Sequence, residues 1–511
     1  MKDKKRLIIN ISAQIFASVI GFIINFFLTP FVIEKLGTEA YGFIGLANNF
    51  VSYTTLITIA LNSMAARFIA VSFHKGDIET AKKYFSSVYY SNLFLSILIA
   101  IFAVFIIIFL NYLVKIPIEL EWDVKLLFGL TFFNSLIALI SNIYMVATFV
   151  KNRIDLSSLR SIISNLLKVI FMIIPFLLFK PHLWYYGISA LIATMFIAFS
   201  NRFLTKKLLP DFTINKSMFD FKLVKTLFFS GGWNLLSKLS DILSTGLDLL
   251  LTNLFIGTMA MGVLSISKSV QVIILSLFGS IAAVFAPKLT EFYAQEKIEI
   301  LRNELINNIR IMGILSALPI IVFIVLGKDF FQLWVPTEDA HVLYILSSLA
   351  IVNLLIALPI ESLWNIFTIT NKVKISSLNL LFFSVLILAT ILIGVSRFDN
   401  AYNQLLTIVI ARLFWGGLRS ITFLPIYGAK CLGLKWYVFY PIIFKNLIVS
   451  IILIIVFLLL KNYFTVIGWF DFTLSAGIIC TITIVLMFLI MLNKNQKVKV
   501  IKLLREKITT K

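Results

Sequence analysis

Fourteen apolar runs, each of the length a membrane-spanning helix needs, follow one another along this chain with only short polar breaks between them. They lie at about 8–34, 41–66, 85–110, 125–149, 156–179, 183–204, 226–256, 259–286, 304–327, 342–368, 375–396, 402–428, 437–460 and 468–492. Of its residues 60% are hydrophobic and only 14% charged, where a soluble chain carries roughly a quarter charged. The expected fold class is an all-α polytopic membrane protein of about 14 transmembrane helices.

Lysine and arginine set the expected orientation. With the N-terminus in the cytoplasm, the inner loops and both termini hold 32 of the 45 basic residues, and the outer loops hold seven. This places both termini in the cytoplasm and makes the net charge of +21 mostly topogenic. The basic residues are dispersed among loops, so a nucleic-acid partner is not expected, whereas the basic tail Lys494–Lys511 suits anionic membrane lipids. Lys2, Lys4, Lys5 and Arg6 precede a run too long for a cleaved signal peptide, and the first helix reads as a signal-anchor.

An internal repeat runs through the chain. Gly37-Thr38-Glu39-Ala40-Tyr41-Gly42 recurs 220 residues later as Gly257-Thr258-Met259-Ala260-Met261-Gly262, with four of six residues identical. The same offset aligns the polar segments after spans two and eight, which read as helical, from His74 through Lys83 and from Ala294 through Asn303. It also lays Gln14, Ser18 and Asn25 of span one on Asn234, Lys238 and Thr245 of span seven. The expected organisation is two parallel six-helix lobes, 1–205 and 226–430, a cytoplasmic linker at 206–225, two added helices at 431–493 and the tail at 494–511.

Nine ionisable residues fall well inside spans, away from their ends: Lys168, Lys238, Asp241, Asp248, Lys268, Glu361, Arg412, Arg419 and Lys445. Each costs at least ~2.5 kcal/mol near the bilayer centre, so such groups face a protein interior or water. Span seven holds three of them on a stripe, Asn234, Lys238, Asp241, Thr245, Asp248 and Thr252, spaced 4, 3, 4, 3 and 4 apart. On a regular helix this is one continuous polar face. Asp248 and Lys268 lie 9 and 11 residues from the turn at Gly257, which puts them within ~3 Å of the same depth. They form either a structural ion pair or part of a pathway with a carboxylate for a coupling Na+ or H+. Asp241 and Glu361 carry the same two readings. In span two, Asn48, Ser52, Thr55 and Asn62 form a neutral polar face, whose commoner role is helix–helix hydrogen bonding. Arg67 closes its cytoplasmic end.

Other chemistry finds no support. His74, His182 and His341 have no ligand-spaced neighbours, so no metal is expected. Cys431 and Cys480 match no metal or disulfide pattern. Phosphate-loop, kinase and serine-elbow motifs are absent, and neither an enzyme activity nor a cofactor is expected. Gly231-Gly232 reads as a bend or packing site.

The local texture then resembles a known family. Phe31-Val32-Ile33-Glu34-Lys35-Leu36-Gly37, the following Tyr41-Gly42, the cytoplasmic Gly76-Asp77 and Asp248-Leu249-Leu250-Leu251-Thr252-Asn253 before Gly257 are similar to the polysaccharide transporter family. That family belongs to the multidrug/oligosaccharidyl-lipid/polysaccharide exporter superfamily. The resemblance implies a flippase in the bacterial cytoplasmic membrane that moves polyprenyl-diphosphate-linked oligosaccharide units outward by alternating access, with polysaccharide-assembly proteins as further partners. It also implies a cavity lined by helices one, two, seven and eight, in which Lys238 and Lys268 hold the diphosphate, Arg67 guards the mouth, and Asn25, Asn48 and Asn234 bond the sugars. The chain departs from a lipid II flippase in lacking a basic cluster in helices one and two. A cation-coupled multidrug exporter is the nearest alternative, and a glycan polymerase or ligase a more distant one, since the outer loops are short.

Overall fold

The computed structural model describes residues 2–492; the basic tail at 494–511 lies outside them. Among the described residues all regular structure is helical. Thirteen helices are long and apolar enough to cross a membrane. In chain order they are α1 (Lys2–Leu36), α2 (Thr38–His74), α3 (Ile78–Ile108), α4 (Ile118–Val150), α5 (Ile154–Leu178) and α6 (Trp184–Leu208). After α7, described next, come α8 (Thr258–Ala294), α9 (Ile298–Trp334), α10 (Ala340–Ala357), α11 (Val373–Val395), α12 (Ala401–Cys431), α13 (Tyr440–Leu459) and α14 (Trp469–Met491). The span expected at 226–256 is α7, a broken element: Phe221–Asp241, a π-helical turn Ile242–Gly246, and Asp248–Phe255. The interruption leaves it outside the set of continuous spans.

The polar segments read as helical after spans two and eight, His74 through Lys83 and Ala294 through Asn303, each hold the end of one helix, a turn and the start of the next. Both α2 and α8 run for 37 residues, or roughly 55 Å at the helical rise, well beyond a hydrocarbon layer of about 30 Å. A tight turn then leads into the next helix, and the two turns match bond for bond. Gly76 N–H donates to Phe73 O and Asp77 N–H to Ser72 O; 220 residues on, Glu296 N–H donates to Tyr293 O and Lys297 N–H to Phe292 O. Gly76 has φ 82° and Glu296 φ 56°, the left-handed residue that closes a helix C-terminus. Asp77 then caps α3 by accepting the Thr80 N–H at 3.0 Å, and this bond holds its carboxyl below the usual carboxylate range. The turns after α4 and before α11 also correspond, with Asn152 at φ 51° and Asn371 at φ 55°.

The chain divides into two compact units. One comprises the chain up to Ile266 with Ser377–Leu405; the other comprises Ser267–Ser376 with the chain from Leu406 onward. In the first, α2 is central, packed on α3, α4 and α7. Leu61, Ile69, Phe85, Val88, Val146 and Leu227 make a dry core between these helices. The linker from α6 to α7 is pinned there too: Ser86 Oγ accepts from Asn215 N–H and Ser87 Oγ from Asp220 N–H.

In the second unit, α9 is the interior helix, with most of its apolar stretch buried. It packs against α10, α13 and α14, and Asn446 of α13 donates to Ile309 O at 3.1 Å. Lys461, between α13 and α14, donates to Val325 O at 2.8 Å and pairs with Asp329, fastening the last two helices to α9.

Candidate functional site

Span seven breaks in the middle of its polar stripe. Leu247 N–H donates to Ile242 O at 3.0 Å, a bond five residues back that defines a π turn. One extra residue in a turn rotates everything beyond it by about 100°. The stripe is therefore not one continuous face, as the regular spacing predicts. Asp241 and Thr245 are exposed, while Asp248 and Thr252 are buried, with Asp248 only 2% exposed. The break is held from outside the helix: Asn49 Nδ2 and Tyr53 Oη of α2 both donate to Gly246 O, at 2.9 and 2.7 Å.

The same two helices stay in register above and below the break. Asn234 Nδ2 donates to Ser63 Oγ at 3.0 Å. Gly231 lies against the α2 backbone so closely that a Cβ there would fall 1.9 Å from Ala60 O, which makes it the packing site the sequence suggests. At the other end the two copies of the duplicated motif meet. Thr258 Oγ1 donates to Glu39 Oε1 at 2.8 Å, and a Cβ on Gly262 would lie 2.3 Å from Thr38 O. Gly42 approaches Gly262 in turn, its Cβ position 2.9 Å from the Gly262 nitrogen. Small residues permit such backbone contact, and any side chain would wedge the helices apart.

The first unit thus carries seven of the nine residues singled out from sequence. Asn25 on α1, and Asn48 and Arg67 on α2, are exposed; the Asn48 amide donates to Ile44 O at 3.0 Å. On α7, Asn234 and Lys238 are half-buried, Asp241 is exposed at the last residue before the break, and Asp248 is buried beside Tyr53. Lys268 on α8 and Glu361 belong to the second unit, both half-buried. Glu361 sits in a turn where the tenth span is interrupted between Ala340–Ala357 and Leu363–Ile369. It feels the charge of Arg419, whose guanidinium lies 4.9 Å from the centroid of the Trp364 ring.

This arrangement has relatives. The family model for polysaccharide biosynthesis proteins matches residues 4–293, more than half of the chain. The chain belongs to the polysaccharide biosynthesis protein family. It is 28% identical over 436 residues to the uncharacterized membrane protein EpsK of Bacillus subtilis, covering 84% of this chain and 85% of that one. The structure of the lipid II flippase MurJ in an inward closed conformation matches 94% of this chain and 98% of its own, with a TM-score of 0.69 at 14% identity. An inward-facing multidrug resistance transporter of the MATE family, in the MOP superfamily, matches 84% of this chain and 98% of its own, with a TM-score of 0.63 at 15% identity. This family member thus has the fold of MOP-superfamily transporters and is a multi-pass membrane protein.

Several polar residues of this family member acquire roles that spacing does not reveal. Asn62 and Asn92 exchange amide hydrogen bonds at 2.9 and 3.0 Å, and Asn142 adds a third at 3.3 Å, so Asn62 is a helix–helix fastener. Asn253 clamps the loop after α3 by bonding both the N–H and the C=O of Lys115. Asn49 and Tyr53, which hold the α7 break, lie outside the periodic polar face of α2, and no spacing in either span marks them. Lys168 of α5 reaches α6, where its Nζ donates to Tyr186 Oη at 3.1 Å.

Proposed function

We propose that this protein is a flippase that carries polyprenyl-diphosphate-linked oligosaccharide units from the cytoplasmic to the outer leaflet of a bacterial cytoplasmic membrane. Alternating access of two six-helix lobes, with both termini in the cytoplasm, is the mechanism this reading takes. Its support is a transporter fold, in a family defined by polysaccharide biosynthesis, with six cations against three carboxylates in the interiors of the spans. An excess of positive charge at membrane depth suits an anionic cargo. A diphosphate gathers several charge-assisted hydrogen bonds from lysines, amides bond the sugars, and the lipid tail stays in the bilayer.

In this reading Lys238 and Lys268 hold the head group, Arg67 stands at the mouth, and Asn25, Asn48 and Asn234 contact sugars. Asp241, Asp248 and Glu361 neutralise cations or take up a coupling Na+ or H+. The buried position of Asp248 beside Tyr53 favours a structural part for that acid. The chain has no motif for ATP use, so a gradient or the assembly proteins downstream supply the work.

Export assays on Lys238→Ala and Lys268→Ala test this. Both variants are expected to insert and accumulate normally, yet to leave a lipid-linked glycan on the cytoplasmic leaflet. Normal export by both would remove the head-group assignment. Efflux of cationic drugs, with no glycan accumulating in a deletion strain, would favour the multidrug alternative.

A further inference from the structure

Lys168 is a cation inside a span, and among the described residues no carboxylate pairs with it. Its Nζ donates to Tyr186 Oη at 3.1 Å and lies 4.3 Å from the centroid of that ring. Both contacts are to one uncharged side chain, so the lysine is held in place but its charge is not cancelled. A tyrosine hydroxyl and π face orient an ammonium; they leave a full positive charge available to a ligand.

Amides of two other helices lie at or near the depth of that charge. Asn48 of α2 is a polar neighbour of the Tyr186 hydroxyl. On α1, Gly21 faces Asn165 of α5, whose Nδ2 would lie 3.4 Å from a Cβ there. Both helices cross the membrane in the same sense, since four spans separate their starts. Asn25, one turn beyond Gly21, therefore stands near the level of Lys168, about one turn beyond Asn165. Asn25 and Asn48 are exposed, and amides exposed within spans belong to a wet interior and not to lipid. One lysine oriented by a tyrosine, with Asn48 at the tyrosine hydroxyl and Asn25 near the same depth, is a site for a phosphate-type anion.

We infer that Lys168, Tyr186, Asn48 and Asn25 form an anion subsite in the first unit that contacts the diphosphate of the lipid-linked substrate. This rests on the flippase reading and places a head-group cation on α5, where helix one and helix two carry no cation in mid-span. Tyr186 is a positioning residue: it keeps the flexible lysine stem aimed until the ligand arrives.

Binding of three lipids to the purified full-length chain in nanodiscs tests the subsite: polyprenyl diphosphate, neutral polyprenol and phosphatidylglycerol. Wild type is expected to bind the diphosphate lipid, and Lys168→Gln to weaken it by roughly 10- to 100-fold, the worth of a lost charge-assisted hydrogen bond. Lys168→Arg restores most of the affinity and shows that the site still folds. Polyprenol binding is expected to be the same in all three proteins. If wild type ignores the diphosphate lipid, the flippase reading fails. If wild type binds it and Lys168→Gln binds as well, the subsite alone fails. Equal Lys168-dependent binding of phosphatidylglycerol would make this a bulk-lipid contact and overturn the assignment.

Discussion

Asparagines in the spans of this protein divide into fasteners and exposed groups, and the division follows partners and not spacing. Asn62, Asn92 and Asn253 spend their amides on other helices or loops, whereas Asn25 and Asn48 remain exposed. Tyr53 belongs with the fasteners. Its hydroxyl bond to Gly246 O holds a kinked backbone, and a net loss of about 1 kcal/mol is expected on removing such a bond. Tyr53→Phe should therefore lower the thermal midpoint of the purified protein modestly. Asn49→Ala combined with it should lower it further, because both donors serve one carbonyl. An unchanged midpoint in the double variant would mean that the π turn holds itself. None of this was legible at α7: the carbonyl that needs support is in one helix and its donors lie nearly 200 residues away.

At the level of elements, α7 shows how a local irregularity redistributes chemistry. The periodic stripe from Asn234 to Thr252 predicts one wet face. One extra residue in the turn Ile242–Gly246 rotates the outer half, burying Asp248 and leaving Asp241 exposed. The duplicated motif makes the complementary case, since its two copies were legible and their meeting was not. Thr38 and Gly262 touch so closely that a side chain at 262 cannot be accommodated. Gly262→Val is expected to part α2 from α8 at this point. A cysteine placed at Ser265, which lies against Gly45, should then react faster with a water-soluble maleimide in Gly262→Val than in the parent. Equal rates would show that the contact yields without opening.

Across the whole molecule, the last two spans read from sequence as an addition to two six-helix lobes, yet they are integral to the core of the second unit. Phe439, Phe457, Ile479 and Met487 pack in one cluster with Leu305, Ile309 and Ile321 of α9. A chain truncated after Leu434 is therefore expected to lose the folded second unit and to aggregate on size-exclusion in mild detergent. A monodisperse truncated protein would show that α13 and α14 only decorate the bundle. What sequence alone determined was the membrane class, a count of about fourteen spans, and the 220-residue offset. Each follows from local composition, since lipid demands about 20 apolar residues per helical crossing and repeats copy local turns. Tertiary structure alone decided the break in α7, the burial of Asp248 and the union of Lys168 with Tyr186. Those depend on which distant carbonyls, hydroxyls and charges meet when helices pack, and no periodicity within a single span records its neighbours.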